Sequence, residues 1–147
     1  MFSQEGSRLI LCGRRQAHLE RIKKELDIDF LILCFDVTNR KSVKNNIESI
    51  PEAFLPIYFL INNAGNAHDL DSIVNANIQD WDQMIDVNVK GLLYVTKYLI
   101  PNFTFQKKGT IINLGSISAL EFYPNGGCLL RKQTMLLTPL RKDLELI

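Results

Sequence analysis

A chain of 147 residues with 46% hydrophobic and 22% charged residues has the length and composition of one folded domain, not of a disordered or fibrous protein. The formal net charge of +1, with acidic and basic residues interspersed, provides no basic stripe and argues against a nucleic-acid partner. No apolar run approaches the roughly 18 residues of a membrane span. We therefore expect no membrane partner, and we expect small molecules or copies of the same chain as partners.

The cysteines indicate the cellular setting. Cys12, Cys34 and Cys128 are odd in number and lack the spacing of metal ligands. Two of them stand inside apolar runs, where cysteine behaves as a small buried hydrophobe. The N-terminal residues 1–6 lack the charged and apolar regions of a signal peptide. The sequence predicts a cytoplasmic protein in a reducing setting, and neither histidine has companion ligands that would indicate a metal site.

The first part of the chain alternates short apolar runs with segments of helical periodicity. The patterns predict, in order, a strand over 9–12 closed by Gly13, a helix over 14–26, a strand over 30–35 and a helix over 41–50. Thr38 or Asn39 can cap the second of these helices. This order of elements is typical of βαβ units.

The second part continues the alternation. A third strand follows Pro56 and ends in two amides, an alanine and a glycine at 62–65, and a polar loop with a helical turn or two is predicted over 66–80. The longest helix is predicted over 81–99, stopped by Pro101, and a fourth strand over 109–114. Alternating strands and helices predict an α/β fold with a parallel sheet, in a single domain.

Charged residues follow the first two predicted strands. Arg14 and Arg15 provide two guanidinium groups that can clamp a ribose 2′-phosphate, which favours NADP over NAD. The alternative is the solvated start of a helix. After the second strand, Asp36 can hold an adenine by a hydrogen bond and Val37 by apolar contact. An aspartate at a strand end also serves as a helix cap, so both interpretations stay open.

Small and amide residues follow the third strand. The amides Asn62 and Asn63 can lock adjoining strands through side-chain to backbone hydrogen bonds. Ala64 and Gly65 allow the backbone to approach a flat ligand. A simple hydrogen-bonded turn would explain the glycine but not the paired amides. We therefore expect a ligand at this turn, because open α/β sheets bind ligands at the carboxyl ends of their strands.

Two further polar residues are candidates for the chemistry. Asn88 lies inside an otherwise apolar helix and is followed by Gly91, although helix propensity favours neither residue type. The alternative for Asn88 is a partly exposed position on the other face of the helix. Ser116, at the end of the fourth strand, can donate a hydrogen bond to a substrate carbonyl or alcohol oxygen. Ser118 is the competing choice, and either serine can be an ordinary loop residue.

Taken together, these motifs resemble the short-chain dehydrogenase/reductase family, nearest its NADP-dependent 3-hydroxy acid (serine) dehydrogenase branch. The resemblance covers about residues 2–127 and resumes near Leu140. The matching motifs are Gly13-Arg14-Arg15-Gln16, Asp36-Val37, Asn62-Asn63-Ala64-Gly65, Trp81-Asp82-Gln83-Met84-Ile85-Asp86, Asn88-Val89-Lys90-Gly91, Asn113-Leu114-Gly115-Ser116 and Phe122-Tyr123-Pro124-Asn125-Gly126-Gly127.

The resemblance implies a Rossmann-like doubly wound parallel sheet with NADP at the carboxyl ends of the strands. It implies hydride exchange between the nicotinamide and an alcohol or ketone, in a homodimer or homotetramer. By motif matching, Asn88 fixes a proton-relay water and Ser116 orients the substrate oxygen. The implied cofactor contacts are Arg14 and Arg15 to the 2′-phosphate, Asp36 and Val37 to the adenine, and Asn63, Ala64 and Gly65 along the cofactor.

The chain departs from the family pattern in two respects. The family's first strand, its glycine-rich pyrophosphate turn and its C-terminal strands have no match, so residues 1–147 are expected to form an incomplete Rossmann-type domain. The first strand is central in such sheets, and its loss would leave two facing edges unpaired. Leu129 and Gln133 occupy the positions of the family's catalytic tyrosine and lysine. Neither side chain can perform acid–base chemistry, so impaired activity is expected.

The second departure has a possible origin in the reading frame. Residues 128–133 can be encoded as TGT TTA TTG CGC AAA CAA, and reading from the second nucleotide into the codon for Thr134 gives Val-Tyr-Cys-Ala-Asn-Lys. This restores the family's Tyr-x-x-x-Lys element in register with Ser116. Our hypothesis is that residues from about Cys128 to Leu137 are translated out of frame. The alternative functions are a catalytically dead dinucleotide-binding or dimerisation module, and a non-functional gene fragment.

Overall fold

The computed structural model describes residues 6–25, 30–67 and 75–115 of the chain. Strands and helices alternate over this range, and all strand pairs are parallel, which confirms the predicted α/β class. The elements are β1 (Leu9–Gly13), α1 (Gln16–Glu25), β2 (Phe30–Cys34), α2 (Arg40–Glu48), a 3-10 turn (Glu52–Phe54), β3 (Phe59–Asn62), α3 (Ile78–Ile85), a π-helix (Asp86–Gly91), α4 (Leu92–Gln106) and β4 (Thr110–Asn113).

The four strands form two separate two-stranded sheets. In the first, β1 pairs with β2, with Leu9 opposite Phe30 and Gly13 opposite Cys34. In the second, β3 pairs with β4 from Phe59–Thr110 to Asn62–Asn113. Among the described residues no strand joins β1 to β3. The incomplete sheet agrees with the division expected when the central strand of a doubly wound sheet is missing.

The main core lies on one face of the β1–β2 sheet. Leu33 and Phe35 of this sheet are buried together with Val43 of α2, which is 0% exposed. Side chains of α4 pack on this cluster, so one helical layer extends over both sheets; these are Tyr94, Val95 and Tyr98. On the opposite face, Leu19 of α1 is buried and lies against Gly13.

The helical region before β4 differs from the sequence prediction at both ends. Helix α3 begins at Ile78 instead of Trp81, because the Asn77 side chain accepts a hydrogen bond from the Gln79 N–H at 3.0 Å and caps the helix. Helix α4 continues through Pro101, so the predicted stop at this residue is wrong. A proline removes only its own N–H bond, and other contacts hold the turn that follows.

These contacts come from the last turn of α4. The Asn102 side chain accepts from the Ile57 N–H at 3.1 Å, and the Gln106 side chain donates to the Ile57 carbonyl. Phe103, between them, is buried at 4% exposure. The turn after Pro101 is therefore attached to the segment that leads into β3, and these contacts stabilise the helix on the C-terminal side of the proline.

The predicted burial of two cysteines is also wrong. Cys12 and Cys34 are both exposed free thiols. Cys12 belongs to β1, which is an edge strand of its sheet in the described part of the chain, and Cys34 is the last residue of β2. An apolar run predicts burial only where neighbouring elements cover the residue. Cys12 is exposed on an edge strand in the described part of the chain, although burial still raises the pKa of its thiol to about 11.

Candidate functional site

The carboxyl ends of β1 and β2 bring two predicted cofactor residues together. Arg14 follows β1 directly, and Asp36 follows β2 by two residues. The Nη1 atom of Arg14 lies 3.7 Å from Oδ2 of Asp36. The two side chains are 61% and 39% exposed, so the pair is reachable from solvent. Two residues that are 22 positions apart in sequence meet because their strands are parallel neighbours.

Thr38 fixes the orientation of the Asp36 carboxylate. Its backbone N–H donates to Oδ1 of Asp36 at 2.9 Å, and its hydroxyl donates to the same oxygen at 2.8 Å. Partial burial by itself would raise the pKa of Asp36. The two hydrogen bonds from Thr38 and the charge of Arg14 outweigh this effect, so the pKa lies below its usual value. The carboxylate is therefore charged and held in one orientation at neutral pH.

Arg15 is placed differently from Arg14. Its side chain is exposed, and it makes no ion pair with the described residues. Its carbonyl accepts from the N–H groups of His18 and Leu19, which starts helix α1. Of the two arginines that precede α1, Arg14 thus pairs with Asp36 after β2, and Arg15 is exposed to solvent.

Val37 connects the β1–β2 sheet to the π-helix. A Cβ atom built on Gly91 would lie 2.7 Å from Cγ2 of Val37, so the valine methyl occupies the space that any side chain at position 91 would need. Gly91 is buried and is the last residue of the π-helix. The unusual glycine noted in the sequence is therefore required by a close approach between two parts of the fold.

Asn88, also in the π-helix, holds the turn that follows β3. Its Nδ2 donates to the carbonyl of Asn66 at 2.8 Å, and its Oδ1 accepts from the Asn66 N–H at 2.9 Å. The same Oδ1 lies 3.4 Å from the position of a Cβ on Gly65. An amide side chain can satisfy a backbone donor and acceptor at the same time, which explains an asparagine at this point of an apolar helix.

The π-helix therefore contacts both predicted halves of the cofactor site. Gly91 at its end packs on Val37, beside the residues predicted to bind the adenosine part. Asn88 in its middle fastens Asn66, beside the turn predicted to line the rest of the cofactor. π-Helical turns occur frequently at functional sites. Because the two sheets share no paired strand among the described residues, these contacts help to set their relative position.

Asn62 stabilises the end of β3 from below the turn. Its Nδ2 donates to Oδ1 of Asn113 in β4 at 2.8 Å and to Oγ1 of Thr96 in α4 at 3.2 Å. The predicted lock between adjoining strands is thus present, but it joins side chain to side chain and not side chain to backbone. Thr96 is buried at 4% exposure, and the hydrogen bond from Asn62 gives its hydroxyl the partner that a buried polar group needs.

The remaining predicted residues are distributed as follows. Asn63 and Ala64 are exposed at the turn after β3, next to Gly65. Ser116 lies outside the described residues, as do Leu129 and Gln133. The described chain ends one residue earlier, at Gly115, just after Leu114 continues the ladder by donating to the Asn62 carbonyl at 3.0 Å.

Sequence reasoning missed two contributors to the site. Thr38 was considered only as a helix cap, but Asn39 takes this role by accepting from the Ser42 N–H at 3.0 Å. Asn66 was placed in an undifferentiated loop, and its side-chain oxygen is buried without a hydrogen-bond partner. The signal available for Asn66 was its position directly after the turn at Gly65. Its pairing with Asn88 joins residues 22 positions apart and has no local signature.

The described ranges contain neither a metal site nor a membrane-spanning helix. Residues 6–25, 30–67 and 75–115 contain no group of histidine, cysteine, aspartate and glutamate side chains that is arranged to hold a metal ion. Over the same ranges, no helix has the length and hydrophobicity needed to cross a membrane.

Comparisons with known proteins identify the family of the chain. The family model described as short chain dehydrogenase matches residues 1–128. The chain is 38% identical over 125 residues to the NADP-dependent 3-hydroxy acid dehydrogenase YdfG of Escherichia coli strain K12, a match that covers 85% of this chain and 50% of that protein. It is 42% identical over 123 residues to the NADP-dependent 3-hydroxy acid dehydrogenase of Schizosaccharomyces pombe, covering 81% and 48%.

Solved structures extend the similarity to the fold. Serine dehydrogenase from Escherichia coli superimposes with a TM-score of 0.88 at 36% identity, covering 97% of this chain and 68% of that chain. The closed form of serine dehydrogenase complexed with NADP+ gives the same TM-score and identity, and 59% of that chain is covered. NAD+-bound xylitol dehydrogenase, at 23% identity and a TM-score of 0.88, supports the fold alone. The chain spans about half the length of the curated relatives it matches.

Proposed function

Because the chain belongs to the short chain dehydrogenase family, we propose that it is an NADP-dependent oxidoreductase that acts on an alcohol or ketone, such as a 3-hydroxy acid. The cofactor and substrate class follow the relatives, which are named NADP-dependent 3-hydroxy acid dehydrogenases. The observation that carries the proposal is the π-helix, which contacts the turn after β2 through Gly91 and the turn after β3 through Asn88. Two turns fastened to one helix can bind the two ends of one extended ligand.

The end of the β1–β2 sheet suits an adenosine 2′-phosphate. Arg14 and Arg15 supply two exposed guanidinium groups, whose planar forks match phosphate oxygens. In this proposal Asp36 accepts from the adenine amino group and Val37 contacts its ring. The ion pair of Arg14 with Asp36 keeps the arginine at this edge of the sheet.

The end of β3 suits the flat part of the cofactor. Asn63, Ala64 and Gly65 are exposed there, and the buried Asn66 oxygen without a partner is an acceptor that a ligand or a water can satisfy. When bound, NADP supplies the hydride acceptor and NADPH the hydride donor. Asn88 holds the turn in place and is proposed to fix a proton-relay water, while Ser116 is proposed to orient the substrate oxygen.

A second function, binding of the dinucleotide without turnover, is favoured by Leu129 and Gln133. These residues stand where the family has its tyrosine and lysine, and general acid–base catalysis contributes about 10²- to 10⁴-fold to a rate. The family match ends at residue 128, where our reading-frame hypothesis begins. The sequence of the coding DNA decides this hypothesis: a one-nucleotide shift must restore Tyr-x-x-x-Lys, and its absence refutes the frame change.

We propose a cytoplasmic homodimer or homotetramer, following the family resemblance. Leu93 of α4 is 40% exposed, and an apolar side chain on the longest helix suits contact with a second copy. Light scattering on the purified chain measures the mass directly, and a monomer at micromolar concentration would contradict this part of the proposal.

The adenosine half of the site can be tested without the reaction. We expect the chain to bind 2′,5′-ADP more tightly than 5′-AMP in isothermal titration calorimetry, because only the former carries the 2′-phosphate. Replacing one charge-assisted hydrogen bond should cost about 1.5–3 kcal/mol, or roughly 10- to 100-fold in affinity. Arg14→Gln and Arg15→Gln should each cause such a loss for 2′,5′-ADP and leave 5′-AMP binding nearly unchanged.

Arg21→Gln is the matched control for these variants. Arg21 is 65% exposed on α1 and pairs with Glu25 at 3.7 Å, so its loss removes a similar charge and a similar surface ion pair away from the strand ends. Following NADPH oxidation with a 3-oxo acid separates the two functions. Turnover refutes the non-catalytic module, and equal affinity for the two nucleotides refutes the NADP site.

A further inference from the structure

The turn after β2 contains two adjacent residues with different tasks. Asn39 caps α2 by accepting from the Ser42 N–H. Thr38 donates twice to Oδ1 of Asp36, from its backbone at 2.9 Å and from its hydroxyl at 2.8 Å. Both bonds reach the same oxygen, so the second oxygen of the carboxylate is left with a fixed direction. The proposed cofactor contacts do not use Thr38.

The second oxygen of Asp36 faces Arg14. Its Oδ2 lies 3.7 Å from Nη1 of Arg14, across the neighbouring ends of β2 and β1. Arg15 has no such ion pair among the described residues. The two adjacent arginines therefore differ in freedom, because one guanidinium is held by a carboxylate that is itself held by two hydrogen bonds.

We infer that Thr38 and Asp36 are positioning residues that hold the Arg14 guanidinium at the edge of β1 and thereby increase affinity for a ribose 2′-phosphate. This inference rests on the proposed NADP site. A free arginine side chain loses rotamer entropy when it binds a phosphate, and an arginine that is already oriented loses less. An oriented Arg14 benefits the 2′-phosphate alone, whereas Asp36 is also the proposed adenine contact. The positioning effect is therefore the part of a loss that only nucleotides with a 2′-phosphate show.

Charge alone would predict the opposite effect. A carboxylate near the site repels a phosphate, and removing it would then strengthen binding of the anion. Salt screens two charges more strongly the farther apart they are, so the repulsion between Asp36 and a phosphate bound beyond Arg14 is reduced more than the direct pair of Asp36 with Arg14. We therefore expect positioning to exceed repulsion, and the sign of the measured change distinguishes the two effects.

Thr38→Val is the most direct test, because it keeps the backbone N–H and the shape of the side chain and removes the hydroxyl donor. We expect about 3- to 10-fold weaker binding of 2′,5′-ADP by calorimetry, the range of one hydrogen bond, with a clearly smaller loss for 5′-AMP. Thr38→Ser retains the donor and should retain the affinity. In an Arg14→Gln background Thr38→Val should cause no further loss, because the side chain that it positions has been removed.

A second measurement needs no ligand. Nitrogen-15 relaxation of the arginine Nε–H groups should show a more ordered guanidinium for Arg14 than for Arg15 in the free chain. Asp36→Asn should reduce the order of Arg14 and leave Arg15 unchanged. Equal mobility of the two arginines in the unsubstituted chain would overturn the positioning role whatever the nucleotide data show.

The outcomes for the two proposals are separable. If the unsubstituted chain does not prefer 2′,5′-ADP, the proposed NADP site fails, and so does the link from Arg14 to the phosphate. If it does prefer 2′,5′-ADP but Thr38→Val leaves the preference intact or strengthens it, only the positioning inference fails. Equal losses for 2′,5′-ADP and 5′-AMP would indicate a general structural role for Thr38 and would also overturn the inference.

Discussion

The two sheets of this protein are built from similar apolar strands but are packed to different extents. The β1–β2 sheet has helices against both faces: α2 and α4 cover Leu33, and α1 covers Gly13 through Leu19. In the described part of the chain, α4 lies against one face of the β3–β4 sheet, through Thr96 and Asn62, and no helix covers the other face. On its other face Phe59, Ile61 and Ile112 are 58%, 45% and 38% exposed.

The two sheets are therefore stabilised in different ways. The doubly covered sheet contains the tightest part of the core and presents the charged pair of Arg14 and Asp36 at its edge. The singly covered sheet depends on polar fastenings, through Asn62 to Asn113 and through Asn88 to Asn66. A strand of given hydrophobicity therefore stabilises the fold only as far as other layers cover it, whereas turn geometry at its end is preserved by specific hydrogen bonds.

The largest expected effect comes from truncating equivalent aliphatic residues in the two sheets. Leu33→Ala should destabilise the protein by about 2–5 kcal/mol, because Leu33 is 7% exposed and its removal leaves a cavity. Ile61→Ala should change stability by only about 0.5 kcal/mol, as is usual for exposed positions. Urea unfolding followed by circular dichroism measures both. Similar losses for the two variants would show that the exposed face of β3–β4 is covered in solution.

A smaller effect is expected at the junction between the halves. Gly91→Ala places a Cβ 2.7 Å from Cγ2 of Val37, and overpacking of this kind costs about 1–3 kcal/mol, partly offset by the better helix propensity of alanine. Val37→Ala in the same chain removes the clashing methyl groups and should recover much of the loss. Denaturant unfolding of the two single variants and the double variant tests this coupling. Additive effects of the two changes would contradict the proposed contact.

The smallest effect concerns the charged pair at the edge of β1–β2. The pKa of Asp36 is lowered in the folded chain, so its carboxylate stabilises the fold above the unfolded pKa of about 3.9 and this contribution is lost as pH falls through the folded value. Asp36 is 39% exposed, so the effect should stay below about 1 kcal/mol. The stability gap between the unsubstituted chain and Asp36→Asn should narrow from neutral pH to about pH 3. A stability gap that widens on acidification would contradict a lowered pKa of Asp36 in the folded chain.

Local patterns predicted the order of the described elements and the positions of the turns that follow the strands. Apolar runs located all four strands, and capping chemistry identified Asn39 as one of two candidates for the start of α2. These features depend on residues within a few positions of each other. The low helix propensity of Asn88 and Gly91 was also a local signal, but it did not predict the π-helix in which both residues lie.

The features that were missed depend on distant contacts. The turn of α4 that follows Pro101 is stabilised by hydrogen bonds of Asn102 and Gln106 with the backbone of Ile57. These residues are 45 and 49 positions apart from Ile57 in sequence. The role of Asn66 in the turn after β3 depends on its hydrogen bonds with Asn88. Cys12 is exposed on a strand that lies at the edge of its sheet in the described part of the chain. A one-dimensional pattern contains no information about which edges and faces remain uncovered.

The pairing of Asn88 with Asn66 limits how position 88 can take part in a reaction. Its amide nitrogen donates to the carbonyl of Asn66 at 2.8 Å, and its amide oxygen accepts from the N–H of the same residue at 2.9 Å. A side chain used in this way is a fixed part of the scaffold, and its replacement by aspartate would lose the donor while replacement by lysine would lose the acceptor. Replacing Asn88 is therefore expected to disturb the turn after β3 together with any water that the residue holds.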